Sequence, residues 1–293
     1  MHWTGKIEPI AFTIFGRDVA WYGIIVTFSM IVGLLGAIQL AKKIKLNSDD
    51  ILEMFLFAIP FAVLFARLGF VFAHASDFFV KGFDFNDFIQ IFAIWDGGLT
   101  ILTGVPGGVL GAYIWCRWRK VDILRLGDAV LCIVLLCQSI GRWGNFFNQE
   151  IYGMPITNES LQFFPMAVYI ARQGAFHQAT FFYESVLNLL GFLAMYFVSR
   201  RLLVRGHSLP LYVFTYGLIR FIMEFFRYNT NVYYEVNVIR IITLVAWLIG
   251  GGILAYMIIR EKKKGNRVWY KDKIPPKLIK PAKYGIYKEG KTK

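Results

Sequence analysis

Polar side chains recur at helical spacing inside several apolar stretches of this sequence, and their types point to an anion. Tyr216, Arg220, Glu224 and Arg227 follow one another at intervals of four, four and three residues. Gln138, Arg142 and Asn145 are spaced by four and three, and Glu184 and Asn188 by four. Such spacing places each set on one face of a helix. Arg67 lies in a further apolar stretch, FARLGFV. Ionisable groups at membrane depth are costly and normally face a bundle interior or a wet cavity. The set contains no lysine. Arginine stays charged in a low-dielectric site and binds phosphate oxygens in a bidentate fork. The pattern therefore reads as a polar chamber for a phospholipid phosphate, with Asn145, Asn148 and Tyr216 placed to hold hydroxyls. An Arg220–Glu224 pair within one helix accounts for two of the charges, but not for a second arginine and a tyrosine on the same stripe.

The elements that would position these residues follow from composition. The chain has 293 residues, 57% of them hydrophobic and 17% charged, with a mean hydropathy of +0.51. That profile excludes an ordinary soluble domain and indicates a polytopic membrane protein. Uncharged apolar runs at 20–41, 97–116 and 241–259 are long enough, or nearly so, to span a bilayer. Four shorter or interrupted runs lie around 54–75, 126–141, 183–199 and 207–225. The expectation is an all-α integral membrane protein of about seven transmembrane helices.

Charge placement orients it. Lys42, Lys43 and Lys45, the arginines from 117 to 125, Arg200, Arg201, Arg205 and the tail from Arg260 fall on one side. The positive-inside bias then puts the N-terminus outside and the C-terminus in the cytoplasm. The expected organisation is an outer segment 1–19, a seven-span domain 20–260 with a small outer head at 142–180, and a basic cytoplasmic tail 261–293. A second outer segment, 76–96, alternates aromatics with acids and suits an interfacial element. The net charge of +13 is read as topology and contact with anionic membrane lipid, not nucleic-acid binding. The N-terminus lacks the layout of a cleaved signal peptide, so the first span is expected to remain as an anchor. Cys116, Cys132 and Cys137 form no disulfide or metal-binding pattern. Six glycines and Pro106 in the third run indicate close helix packing, in preference to a broken helix.

GRWGNFFNQEIYG resembles the signature of the bacterial prolipoprotein diacylglyceryl transferases, Gly-Arg-x-Gly-Asn-Phe-x-Asn-x-Glu-x-x-Gly. It matches at Gly141, Arg142, Gly144, Asn145, Phe146, Asn148, Glu150 and Gly153. WYG at 21–23, ARLGFV at 66–71, WDGG at 95–98, TFFYES at 180–185 and YGLIRFIMEFFR at 216–227 follow in the family's order. The resemblance implies transfer of the diacylglyceryl group of phosphatidylglycerol to the lipobox cysteine thiol of a prolipoprotein signal peptide, releasing glycerol 1-phosphate. It implies a multi-pass protein of the bacterial cytoplasmic membrane, with its site toward the outer leaflet and no cofactor. Carried over, Arg142 and Arg220 bind the phosphate and Glu224 orients Arg220. Asn145 and Glu150 contact hydroxyls or arginines, with a cap on the outer head as the other reading of Glu150. Tyr22, Tyr216, Asn148, Gly153 and Arg67 complete the substrate site.

One departure stands out. After WDGG the family places a His-Gly pair where this chain has Leu102 and Thr103. A mechanism requiring that histidine as base is closed to it. Arginines near the lipobox thiol would lower its pKa from about 8.5; His74, His177 and Glu150 are the weaker alternatives as proton acceptors. The missing histidine also admits a non-catalytic relative that binds phosphatidylglycerol or lipoprotein precursors, and the polar chamber admits a lipid transporter.

Overall fold

A computed structural model describes residues 7–43, 46–78, 89–94, 97–227, 233–266, 268 and 269. Most of segment 76–96 and most of the basic tail lie outside the described residues. Seven long helices dominate: α1 (Trp21–Lys43), α2 (Ser48–Ala73), α3 (Ile101–Arg119), α4 (Ile123–Asn148), α5 (Thr180–Ser199), α6 (Ser208–Met223) and α7 (Tyr233–Lys263). Five are long and apolar enough to cross a membrane: α1, α2, α4, α5 and, from Val238, α7. The chain is a mostly helical, multi-pass membrane protein. The third apolar run becomes helical only at Ile101 and is not among the five; its glycines dilute the hydropathy. α6 is apolar but only 16 residues long. The helical architecture is as expected, and two short antiparallel hairpins accompany it: β1 (Ile10–Ile14) with β2 (Arg17–Ala20), and β3 (Ala167–Ile170) with β4 (Ala175–Gln178).

The chain divides into two compact units, one comprising the residues up to Ala37 together with those from Gly127, the other running from Ile38 to Leu126. In the second unit α2 and α3 pack directly together. A Cβ on Gly111 would lie 2.9 Å from Phe61 Cβ, and one on Gly104 would lie 3.1 Å from Ala66 Cβ. The glycines thus serve close approach, as expected, and α3 continues through Pro106. Asn47 caps α2 by accepting the Asp49 N–H at 3.3 Å.

In the first unit, polar pairs set helix register. Ser29 Oγ donates to the Cys137 carbonyl at 2.9 Å, tying α1 to α4. Ser139 Oγ donates to the Ser185 carbonyl and Ser185 Oγ to the Ser139 carbonyl, both at 2.8 Å, so α4 and α5 are bonded reciprocally at one level. Asp128, in the first turns of α4, accepts the backbone N–H groups of Gly206 and Ser208 at 2.8 and 2.9 Å. It thereby caps the start of α6, where His207 makes no side-chain cap of its own. α6 and α7 touch backbone to backbone: a Cβ on Gly217 would meet Trp247 N at 2.8 Å.

The β3–β4 hairpin sits over the end of α4 and the start of α5. Val168, Ile170, Ala179 and Phe181 form its buried core, with Phe146, Tyr152 and Phe182 packed against them. The hairpin lies within the segment 142–180, referred to below as the head, and is built on strands that helical periodicity could not disclose.

Candidate functional site

α4, α5 and α6 bring the polar stripes of the sequence together in one chain of contacts. Arg142 Nη2 bonds Glu184 Oε1 at 2.7 Å, and Arg220 Nη1 reaches the same oxygen at 3.4 Å. Arg220 Nη2 also meets Glu224 Oε2 at 3.4 Å, and Arg227 Nη1 meets that oxygen at 3.7 Å. Arg142 Nη1 donates to Asn145 Oδ1 at 3.1 Å, and Asn145 Nδ2 donates to Glu150 Oε1 at 2.8 Å. Asn148 Nδ2 approaches the same Glu150 oxygen at 3.3 Å.

The two carboxylates at the centre are enclosed, Glu184 being 2% and Glu224 0% exposed, while the three guanidinium groups keep partial access. Arg142, Arg220 and Arg227 outnumber the enclosed Glu184 and Glu224 by one, and Glu150 joins from the exposed edge through Asn145. Arginines held in fixed orientation with partial access suit an oxyanion.

Local backbone explains how Glu150 reaches the cluster. α4 ends at Asn148, and Gln149 and Ile151 both adopt left-handed conformations, with φ of 49° and 56°. Non-glycine residues seldom do so, and the strain is tolerated where surroundings over-determine it. Here Gln149 Oε1 accepts the Ala171 N–H at 3.1 Å, binding the turn to the head. The turn folds Glu150 back on the last turn of α4, where its N–H donates to the Asn145 carbonyl at 3.1 Å.

The stripe expected on the sixth span is cut short. α6 ends at Met223, so Arg227 is not on its helical face; it lies beyond the turn and pairs in a β-bridge with Gly153. Gly153 is enclosed, since a Cβ there would stand 2.7 Å from the Phe226 carbonyl oxygen. Arg240 on α7 holds this turn, donating to the Glu224 carbonyl at 3.3 Å and lying 4.6 Å over the Phe225 ring.

Tyr22 lies against α4 where Gly144 leaves room: a Cβ on that glycine would lie 2.7 Å from the Tyr22 ring. Tyr216 stacks on Tyr212, whose hydroxyl accepts from Gln138 Nε2 at 2.8 Å. One turn below Glu184, Asn188 is fully buried, with no partner for either amide atom among the described residues. Beside the cluster, an apolar groove of about 300 Å³ runs between Trp21, Ile24, Ile25 and Phe28 of α1 and Ser139, Ile140 and Trp143 of α4.

Arg67 belongs to the other unit and is described with it. Buried there, it donates to the carbonyls of Gln90, Ile91, Gly97 and Gly98, the shortest bond being 2.6 Å. These bonds tie α2 to the segment preceding α3. Leu102, in the same unit, is 80% exposed. His74 faces the Phe70 carbonyl, and His177 is buried against the Gly153 carbonyl in the head. Among the described residues no group of three histidines, cysteines or acids could hold a metal ion.

Sequence spacing pairs Glu184 with Asn188 but does not single it out; the structure makes it the hub of both arginines. Asp128, Arg240 and Tyr212 likewise gain their positions only through contacts between helices.

Residues 9–256 match the family model described as prolipoprotein diacylglyceryl transferase. The chain is 32% identical over 278 residues to a Listeria monocytogenes serotype 4b protein named phosphatidylglycerol–prolipoprotein diacylglyceryl transferase; the match covers 94% of this chain and 97% of that relative. It is 34% identical over 271 residues to the Clostridium perfringens protein with that name and the number 1, covering 90% and 99%. A protein of Oceanobacillus iheyensis with the same name is 33% identical over 278 residues, with 91% and 93% covered.

Proposed function

Because the chain belongs to the prolipoprotein diacylglyceryl transferase family, we propose that its arginine cluster binds the phosphate of phosphatidylglycerol and that it transfers the diacylglyceryl group to a lipobox cysteine of a prolipoprotein. The observation that carries this reading is the convergence of Arg142 and Arg220 on one oxygen of Glu184, at 2.7 and 3.4 Å. Held in this way, the two forks need little reorganisation to take a phosphodiester anion.

The thiolate sulfur attacks the phosphate-bearing carbon of the diacylated glycerol. A C–S bond forms, the C–O bond breaks with its electron pair on oxygen, and glycerol 1-phosphate departs. In net balance the thiol proton is taken up by the released phosphate monoester, which shares it with solvent. Negative charge grows on the leaving phosphate, so fixed arginines favour the transition state over the ground state. Arg142 and Arg220 bind the phosphate, Glu184 and Glu224 orient them, and Asn145 with Glu150 secures Arg142 from the other side. Tyr22 and Tyr216 border the lipid, while Asn148 and Gly153 shape the rim of the site. The groove between α1 and α4 is apolar on nearly all sides and suits an acyl chain. Arg67 supports α2 from within the protein.

The membrane arrangement that fits this chemistry counts α3 and α6 as spans as well. That makes seven, with the N-terminus outside and the site toward the outer leaflet of the bacterial cytoplasmic membrane. The basic residues between α3 and α4 and after α5 and α7 then face the cytoplasm.

Purified protein, phosphatidylglycerol labelled in its acyl chains and a lipobox peptide provide the test. Thioether-linked diacylglyceryl peptide is the expected product. No product from the wild type, under conditions where a relative with the family histidine works, would leave a lipid-binding relative without transferase activity. Lipid flux across proteoliposomes, instead of product, would favour a transporter.

A further inference from the structure

We propose that the β1–β2 hairpin is a membrane-surface anchor, with Phe15 at its tip inserted among the lipids beside the start of α1. This goes beyond the transfer reaction and does not depend on it.

The turn itself is unusual. Ile14 pairs with Arg17, so Phe15 and Gly16 form a two-residue loop, and both have positive φ, 49° and 75°. Loops of this kind favour Asn-Gly or Asp-Gly, because the first position must be left-handed. A bulky apolar residue there is an outlier that carries backbone strain. The ring gains nothing from the protein in return, since Phe15 is fully exposed.

The strands are amphipathic in the same sense. Phe12 and Ile14 alternate onto one face, each 49% exposed, opposite Val19 and Arg17. The other face carries Thr13, whose hydroxyl donates to Asp18 at 2.6 Å. A two-stranded hairpin is marginal in water unless its apolar face packs on something. Here Phe12 and Ile14 keep about half of their surface open on this face.

Its location identifies the occupant. Ala20 of β2 is followed directly by Trp21 of α1, and the Trp21 N–H donates to the Pro9 carbonyl at 2.9 Å. The base of the hairpin is thus fixed where a membrane-crossing helix begins, whichever side of the membrane that is. Trp21, stacked on Phe147 at 5.2 Å, is an aromatic of the kind that marks a bilayer boundary. The exposed apolar surface continues along α1 through Phe28, Ile31 and Leu35. Lipid that covers that surface also reaches the hairpin, and Arg17 can extend its guanidinium to lipid phosphate.

Site-directed nitroxides on the full chain in phosphatidylglycerol-containing nanodiscs test the anchor. A label at Phe15→Cys should sit about 5–10 Å into the boundary region, favouring oxygen over a water-soluble nickel complex as collision partner. A label at Thr13→Cys should favour nickel. Nickel preference at both sites, or shielding of Phe15→Cys from both reagents, overturns the proposal. Phe15→Asn gives an independent check because it suits the turn better but not the lipid. Amide exchange over 10–20 should then quicken in nanodiscs relative to wild type; unchanged or stronger protection refutes the anchor. Neither readout requires transfer activity, so failure of the transferase reading would be seen separately.

Discussion

Arg142 and Glu184, 42 positions apart in the sequence, meet at 2.7 Å between α4 and α5. The same carboxylate oxygen receives Arg220 from α6. Glu184→Gln keeps an acceptor oxygen but removes the charge that holds both forks. Transfer should fall by roughly 10²–10³-fold, on the scale of losing one preorganised electrostatic partner. Steady-state rates with phosphatidylglycerol vesicles check this, and near wild-type turnover would show that the two arginines do not need their hub.

Lysine at either arginine tests the fork rather than the charge. Arg142→Lys and Arg220→Lys each preserve a cation but lose planar bidentate geometry. Activity should drop by about 10²-fold or more in each case, on the scale of removing one preorganised donor. Retained product formation would place the phosphate elsewhere.

Glu150 is exposed and accepts from two amides, those of Asn145 and Asn148. Its oxygen therefore matters more than its charge. Glu150→Gln should remain close to wild type in the transfer assay, while Glu150→Ala should release Asn145 and weaken turnover. Equal losses in the two variants would instead assign a role to the charge itself.

Asp128 joins the beginning of α4 to the beginning of α6, far along both helices from the arginines. Asp128→Ala should lower thermal stability by about 1–2 kcal/mol, the usual worth of a helix cap, with Asn recovering part of it. An unchanged melting temperature in lipid nanodiscs for Asp128→Ala would show that the cap contributes nothing.

Asn188 offers the reverse expectation. Both amide atoms are buried without a partner among the described residues, and such groups cost about 1–3 kcal/mol each. Asn188→Leu should therefore raise the melting temperature of the lipid-free protein. A lowered value would mean that the amide is satisfied in solution.

The helical stripes were legible in the sequence because i, i+4 spacing is a property of one helix. Gln138, Arg142 and Asn145 declare a face before any partner is known. Glycine packing on α3 was readable for the same reason. Which stripe meets which was not readable: Glu184 becomes a hub only when α4 and α6 approach α5 from different sides. Arg67 was assigned to the chamber from its apolar surroundings alone, and its partners, the carbonyls of the segment before α3, could not be read from spacing. Arg227 fell off its stripe because the helix stops at Met223, and a spacing of three cannot reveal where a helix ends. The hairpins escaped because short strands beside long apolar helices leave little periodic signal.

α6 has a consequence for the bilayer itself. Its 16 residues reach about 24 Å at the usual helical rise, short of a hydrocarbon layer about 30 Å thick. On the seven-span arrangement the deficit falls near the end that carries Arg220 and Glu224. Hydrophobic mismatch of this kind draws headgroups down by thinning the membrane around the short helix. If α6 spans as proposed, the leaflet would sag toward the arginines, and the protein would not have to lift a phospholipid out of it to reach its phosphate. Membrane thickness would then be a determinant of turnover alongside the chemistry of the site.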